Sequence, residues 1–352
     1  MTDAIGSRTG QRPRISVILV VEAQRERGAR CLASVLEQSV GDALEVLLID
    51  VGASGSVAIA GSHDPRVRVL HRPASVPFGR MLADAVGQAR APLVAFLEEH
   101  CVALPGWAGA LVRADRGEPV IALGGARYDP APSSGLSAFV HLLDMGPWSP
   151  PAVDCAVRAL PEGNVAYRRD GLLRYGDRLA VYFRCEGLLH AQLIKDGLTL
   201  RVVPDARYEH AYESSLRALC ARWYAMGWVA GATKAELAGW SVRQRTVDIA
   251  RRLSALPLSP VGQLVRLARR RPDGRRLVLA NLHVGVLWCW VFTVGELLGT
   301  VFGLRGMDAR VRHHVLNGSR QASPGPRRRG AGEREDEATV RSSASPRRDV
   351  SR

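Results

Sequence analysis

Residues 95–107 read AFLEEHCVALPGW, so an apolar run carries straight into Glu98, Glu99 and His100 before apolar residues resume. Neighbouring carboxylates repel, and a carboxylate taken out of water without a partner carries a heavy free-energy cost. A divalent cation or a cationic group is the natural compensation, and an imidazole beside two carboxylates is a donor set of the kind that holds one. A second acid, Asp50, closes the apolar run EVLLID at 45–50.

The elements that must position these groups are legible as alternating strands and helices. ISVILVV (15–21), EVLLID (45–50), RVRVLHR (66–72) and PLVAFL (92–97) have strand length and composition, and 30–38 and 79–91 have helical spacing. That rhythm predicts an α/β domain with a mostly parallel central sheet. In such sheets ligands gather at the carboxyl ends of the strands, where Asp50 and the Glu-Glu-His cluster both sit. A second region at 111–240 holds GNVAYRR (163–169), CEGLLHAQL (185–193), a strand-like LTLRVVP (198–204) leading to His210, and an aromatic-rich helix over 212–237. Residues 277–304 are apolar apart from Asn281, His283 and Glu296, longer than a bilayer crossing requires. Gly295, Gly299 and Gly303 form a small-residue ridge suited to close contact with a helix partner. Residues 317–352 lack apolar content and are expected to be disordered.

The net charge of +14 is unevenly placed. Up to Val242 there are 26 basic and 25 acidic residues, whereas 243–276 holds ten arginines against Asp248 and Asp273. The neutral first part and the absence of aromatic residues among the late basic ones argue against nucleic acid as a partner. The basic stretch suits an anionic cytoplasmic membrane surface, with 260–271 lying amphipathically in the interface. The positive-inside rule then expects a catalytic domain facing the cytoplasm. Arg305, Arg310 and Arg312 make the far side of 277–304 basic too, so a re-entrant hairpin or a helix packed on a partner competes with a single span. The six cysteines are scattered, with no CxxC pair, which fits a reducing compartment rather than a disulfide framework. The first apolar run is too short for a signal peptide, so the amino terminus is expected in the cytoplasm.

Over residues 14–240, in order, the sequence resembles the inverting family-two glycosyltransferases of GT-A fold. ISVILVVEAQRERGARCLASVLEQS is similar to the family's opening strand and helix, EVLLIDVGAS to its second strand and acidic turn, and LVAFLEEHCVALPGW to the strand ending in its Asp-x-Asp motif. GNVAYRR resembles the acceptor-side loop, CEGLLHAQLIKDG the segment carrying the base, and VPDARYEH the strand whose closing histidine can ligate the metal. Several positions depart from the pattern. The Asp-x-Asp site reads Glu98-Glu99-His100, the acidic turn reads Asp50-Val51-Gly52, and the Glu-Asp pair reads Cys185-Glu186. The family's Arg-Asn is replaced near Leu82-Ala83, and Leu219 stands where a processive polymerase has Gln ahead of Arg222-Trp223.

The resemblance implies a nucleotide-diphosphate sugar donor contacted by Glu22, Asp50, Glu98 and Glu99, and Glu186 as catalytic base. It implies a divalent metal, Mn2+ or Mg2+, on Glu98 (or Glu99), His100 and His210, and an acceptor side of Trp107, Gly163, Asn164 and Arg168. Imidazole ligands favour Mn2+, and because they must be neutral, activity is expected to fall below about pH 6.5. The expected organisation is a nucleotide-sugar half at 14–110, an acceptor half at 111–240, membrane-associated helices at 241–316 and a tail at 317–352. The expected function is metal-assisted transfer with inversion to a lipid-linked or cell-envelope glycan acceptor at the cell membrane. The competing reading is a catalytically silent nucleotide-sugar-binding or scaffold protein of the same fold.

Overall fold

In the computed structural model, the described residues are 12–22, 24–52, 58–117, 120–128, 135–145, 148, 154–210, 215–269, 273–304 and 307. The tail at 317–352 and Arg305, Arg310 and Arg312 lie outside them, as do 211–214 at the expected start of the aromatic helix.

The chain runs β1 (Ile15–Val21), α1 (Arg25–Leu36), β2 (Leu44–Val51), β3 (Val67–Arg72), α2 (Phe78–Gln88), β4 (Leu93–Phe96), β5 (Cys101–Ala103) and α3 (Trp107–Ala114). It continues through β6 (Val120–Tyr128), α4 (Gly135–Met145), β7 (Ala156–Val157), β8 (Val165–Arg168), α5 (Arg169–Leu173), α6 (Arg178–Tyr182), α7 (Glu186–Lys195) and β9 (Thr199–His210). Five helices follow: α8 (Leu216–Leu237), α9 (Val242–Ala255), α10 (Ser259–Ala268), α11 (Gly274–Ala280) and α12 (Leu282–Phe302).

A single sheet joins both halves of the expected catalytic domain, in the order β3-β2-β1-β4-β8-β6-β9-β5 with β7 on β9. The first four strands are parallel, and β8 then pairs antiparallel with both β4 and β6. Parallel pairing therefore holds for the amino-terminal half, while the other half is mixed. The continuous apolar runs of β1 and β2 follow from helices on both faces of the sheet. Alternate β1 residues divide between two cores: Ile18 and Val20 face α2 and the α5–α7 side, and Val17, Leu19 and Val21 face α1 and α3. Burying each such side chain is worth about 2 kcal/mol.

A third core, between α4, α8 and α10–α12, includes Phe139, Leu219, Trp223, Leu264 and Val284. Here α12 meets its helix partner within the same chain. A β-carbon on Gly295 would lie 2.2 Å from the Tyr224 carbonyl oxygen, and one on Gly231 would lie 2.0 Å from that of Glu296. Two parallel helices thus touch backbone to backbone, with Gly227 and Gly231 of α8 facing Phe292 and Glu296 of α12. Gly303, expected on the same ridge, instead ends the helix with φ +65°.

Candidate active site

The carboxyl edge of the sheet collects the acidic groups. Asp50 stands opposite Val21 at the ends of β2 and β1, and β1 separates it from β4, whose continuation carries Glu98. Two strand spacings put these acids roughly 10 Å apart. Arg25, in the first turn of α1, pairs with Asp50, and His71 Nδ1 lies 3.4 Å from its other oxygen.

The two histidines meet because β5 pairs antiparallel with β9, setting Cys101 opposite His210. His100 Nε2 and His210 Nε2 are 3.0 Å apart with their rings perpendicular. Glu98 Oε2 lies 3.3 Å from His210 Nε2 and 3.7 Å from His100 Nε2. Donor atoms bound to one ion at about 2.1–2.2 Å, at tetrahedral or octahedral angles, are separated by about 3.0–3.6 Å. The three groups fit one divalent ion. The Sγ of Cys101 belongs to the same cluster, whose ligand atoms all lie within 4.8 Å of one another.

Asn164 holds the carboxylate in place: its Nδ2 donates to Glu98 Oε2 at 3.0 Å, and its Oδ1 accepts from the Glu98 backbone N–H at 3.5 Å. The amide therefore orients a ligand of the cluster. Glu99 is directed elsewhere. Its side chain is buried, Oε2 accepts from the Glu22 N–H at 3.4 Å, and Oε1 has no hydrogen-bond partner among the described residues. Burial pushes its carboxyl up to about 8, so Glu99 is protonated at neutral pH. The two neighbouring carboxylates are thus separated into a neutral buried one and one aimed at the imidazoles.

Glu186 opens α7, where the helix N-terminus favours a carboxylate. Its Oε1 accepts from the Gly163 N–H at 3.2 Å, and its Oε2 accepts from the Tyr167 hydroxyl at 3.1 Å. Burial, then the Glu162 carboxylate, push it up to about 8. One turn further on, buried His190 lies 2.7 Å from the same hydroxyl through Nε2, while its Nδ1 faces the Leu160 N–H at 3.5 Å. That assigns the proton to Nε2 and orients a chain of donors from His190 through Tyr167 to Glu186. Burial lowers His190 to about 4, so it stays neutral.

Gly163 links Glu186 to the cluster. It has φ +77°, and a β-carbon there would lie 2.7 Å from the Glu98 carboxyl carbon. Gly163→Ala should weaken Mn2+ binding at least about tenfold, since the strained φ alone costs about 1–2 kcal/mol and the clash displaces a ligand. Calorimetric titration of Mn2+ checks this, and unchanged affinity would mean that the loop yields without moving Glu98.

Two expected acceptor residues are placed otherwise. Trp107 is 3 % exposed and packs in the core beneath α3, so it offers no face to an acceptor. Arg168 stands opposite Leu93 at the start of β4, four residues along an antiparallel strand from Asn164 and so about 13 Å from the Glu98 end. It lies beside Asp115 instead. Tyr167, His190 and Arg25 were not anticipated. The four-residue spacing of Glu186 and His190 on one helix face was the available signal for the second.

Fold and site together define a domain of the GT-A class. Residues 16–143 match the family model described as Glycosyl transferase family 2. Among solved structures, the chain is similar to a mannosyltransferase, PcManGT from Pyrobaculum calidifontis, in complex with GDP-Man and Mn2+. The identity is 13% and the TM-score 0.51, over 83% of this chain and 88% of that one. It is also similar, at a TM-score of 0.41 and 13% identity over 57% of this chain, to GalNAc-T7 with UDP, GalNAc and Mn2+, of which it spans 44%. No curated protein matches the sequence.

Proposed function

We propose that the protein transfers a glycosyl group from a nucleoside-diphosphate sugar to an acceptor hydroxyl, with inversion at the anomeric carbon. The observation that carries this reading is the convergence of Glu98, His100 and His210 at the carboxyl edge of the sheet, with Glu186 one glycine away. In the transfer, the bond from the anomeric carbon to the phosphate oxygen breaks and its electron pair leaves with the diphosphate. The acceptor oxygen bonds to the opposite face of that carbon, and its proton passes to Glu186. A divalent ion bound by Glu98, His100 and His210 would neutralise the charge that develops on the diphosphate. Asp50, held by Arg25, is the group for the nucleoside, and Glu22 lines the same edge. A base that must be ionised acts above its own titration, so kcat/KM is expected to be lost as pH falls through about 8. Tyr167→Phe removes a bond that stabilises the ionised form and should move that acid limb upward by about one pH unit. An unmoved limb in a pH–rate series would detach Tyr167 from the base.

The acceptor we propose is lipid-linked or part of the cell envelope, reached from the cytoplasmic membrane face, because the arginine-rich helices follow the catalytic domain directly. Release of nucleoside diphosphate from a panel of nucleotide sugars, with Mn2+ and with chelator, tests the chemistry. No turnover and no donor binding with any sugar would leave a silent protein of the same fold.

A further inference from the structure

The last helices answer a question the sequence leaves open. Helix α12 is long and apolar enough to cross a bilayer by composition, yet it is pinned along its length to the catalytic domain. Gly295 and Gly299 sit against the α8 backbone, Glu296 pairs with Arg252, and Arg245 donates to the Thr300 carbonyl oxygen at 2.7 Å. Helix α8 is tied in turn by Arg222 to Asp144 and by Glu236 to Arg184, each at 2.6 Å. Drawing α12 across hydrocarbon would carry Arg222, Asp144, Lys234, Asp248 and Arg252 towards the bilayer interior, where unsolvated charge is strongly disfavoured.

The opposite face of α12 has no protein over it among the described residues. Trp290, Val294 and Val301 are all more than two-fifths exposed. Their i, i+4, i+11 spacing puts them within about 40° of one another on the helix. On α10, which lies against α12, Val261 and Val265 are exposed one turn apart. Arg266, Arg269, Arg275 and Arg276 are exposed beside these apolar groups. The acids of this stretch do not offset them, because Asp248 is already held by Arg251 and Arg252 and leaves only Asp273.

We propose that α10–α12 form a monotopic docking face for an anionic bilayer, with the Trp290–Val294–Val301 stripe and Val261 and Val265 at the acyl boundary and the four arginines on lipid phosphates. The helix lies in the membrane plane and does not span it. An amphipathic surface of this kind gains from apolar burial and from headgroup charge together. The proposal deepens the membrane part of the proposed function and is independent of its chemistry, so vesicle binding and donor turnover can fail separately.

The test is co-flotation of the full chain with preformed vesicles of phosphatidylcholine, with and without phosphatidylglycerol. Binding should need the anionic lipid, weaken in high salt and be released by alkaline carbonate. Trp290→Glu with Val294→Glu, and separately Arg275→Glu with Arg276→Glu, should each cut binding at least about tenfold while the thermal shift caused by Mn2+ stays as in the parent. Equal binding to neutral vesicles, no effect of either pair, or absence of binding would overturn the proposal. Carbonate resistance would show a span instead. A dimer that Trp290→Glu disrupts, formed without vesicle binding, would make a second copy of the chain the occupant.

Discussion

Glu186→Gln is expected to lower kcat by about 10³-fold while leaving the affinity for the nucleotide sugar within about twofold. The amide keeps the size of the side chain, and its single oxygen can still accept from the Gly163 N–H that meets Oε1 in the parent, so the loop and the start of α7 should keep their places. What disappears is the ability to take a proton. Because the residue is 6 % exposed and its ionised form is disfavoured by burial, the free protein holds this carboxyl near the middle of its titration in mildly alkaline solution. A group placed there is strong enough to accept a proton from a hydroxyl that is losing it to bond formation, and weak enough to release it afterwards. Stability follows a related sign. A carboxyl raised from its ordinary range to about 8 favours the folded state at low pH and costs stability as pH rises through that window. The Gln variant should therefore melt at or above the parent temperature at pH 9. Steady-state kinetics beside donor titration checks the split between kcat and binding; retained turnover would assign the base to another carboxylate.

His210→Ala should reduce kcat/KM about 10³-fold and abolish stimulation by Mn2+, the second large effect. Three protein donors within 3.0–3.7 Å of one another define the site, and removing one leaves two, with an open position where a ligand stood. His210 ends β9, and its backbone pairing with Cys101 does not depend on the imidazole, so the strand should persist. Ala at this position differs from loss of a distant packing residue in one readable way. Activity at saturating donor should respond to added Mn2+ in the parent and become indifferent to it in the variant. If the variant keeps the parent's metal response, the imidazole pair is a hydrogen-bonded packing contact and the reaction proceeds without it.

The parts of the fold that were legible are those whose burial is dictated locally. The strands β1, β2 and β4 are covered on both faces, so each reads as an uninterrupted apolar run. β6 was not legible: its Gly124 and Gly125 interrupt the apolar pattern because Leu160 and the Ala206 carbonyl oxygen pack where side chains would be. The small-residue ridge on α12 is readable, and Gly227–Gly231 carries the matching spacing, but nothing in the sequence says that these two helices pair. Asp50, Glu98 and Glu99 stand out by type and by position at strand ends. Their mutual geometry could not, since His100 and His210 are brought together by a ladder between strands 110 residues apart. Trp107 was misplaced because a tryptophan after a Pro-Gly turn reads equally as an exposed platform or a core anchor, and the sequence carries no sign of which face of α3 the core covers.

In the proposed function, Glu98, His100 and His210 hold one divalent ion at the place where a diphosphate leaves. Titrating Mn2+ into the full chain by calorimetry, with and without a nucleoside diphosphate, tests it most directly. One ion per chain is expected, bound more tightly when the nucleotide is present, with no such binding in His210→Ala. An unchanged isotherm in that variant, or no saturable binding under either condition, would contradict it.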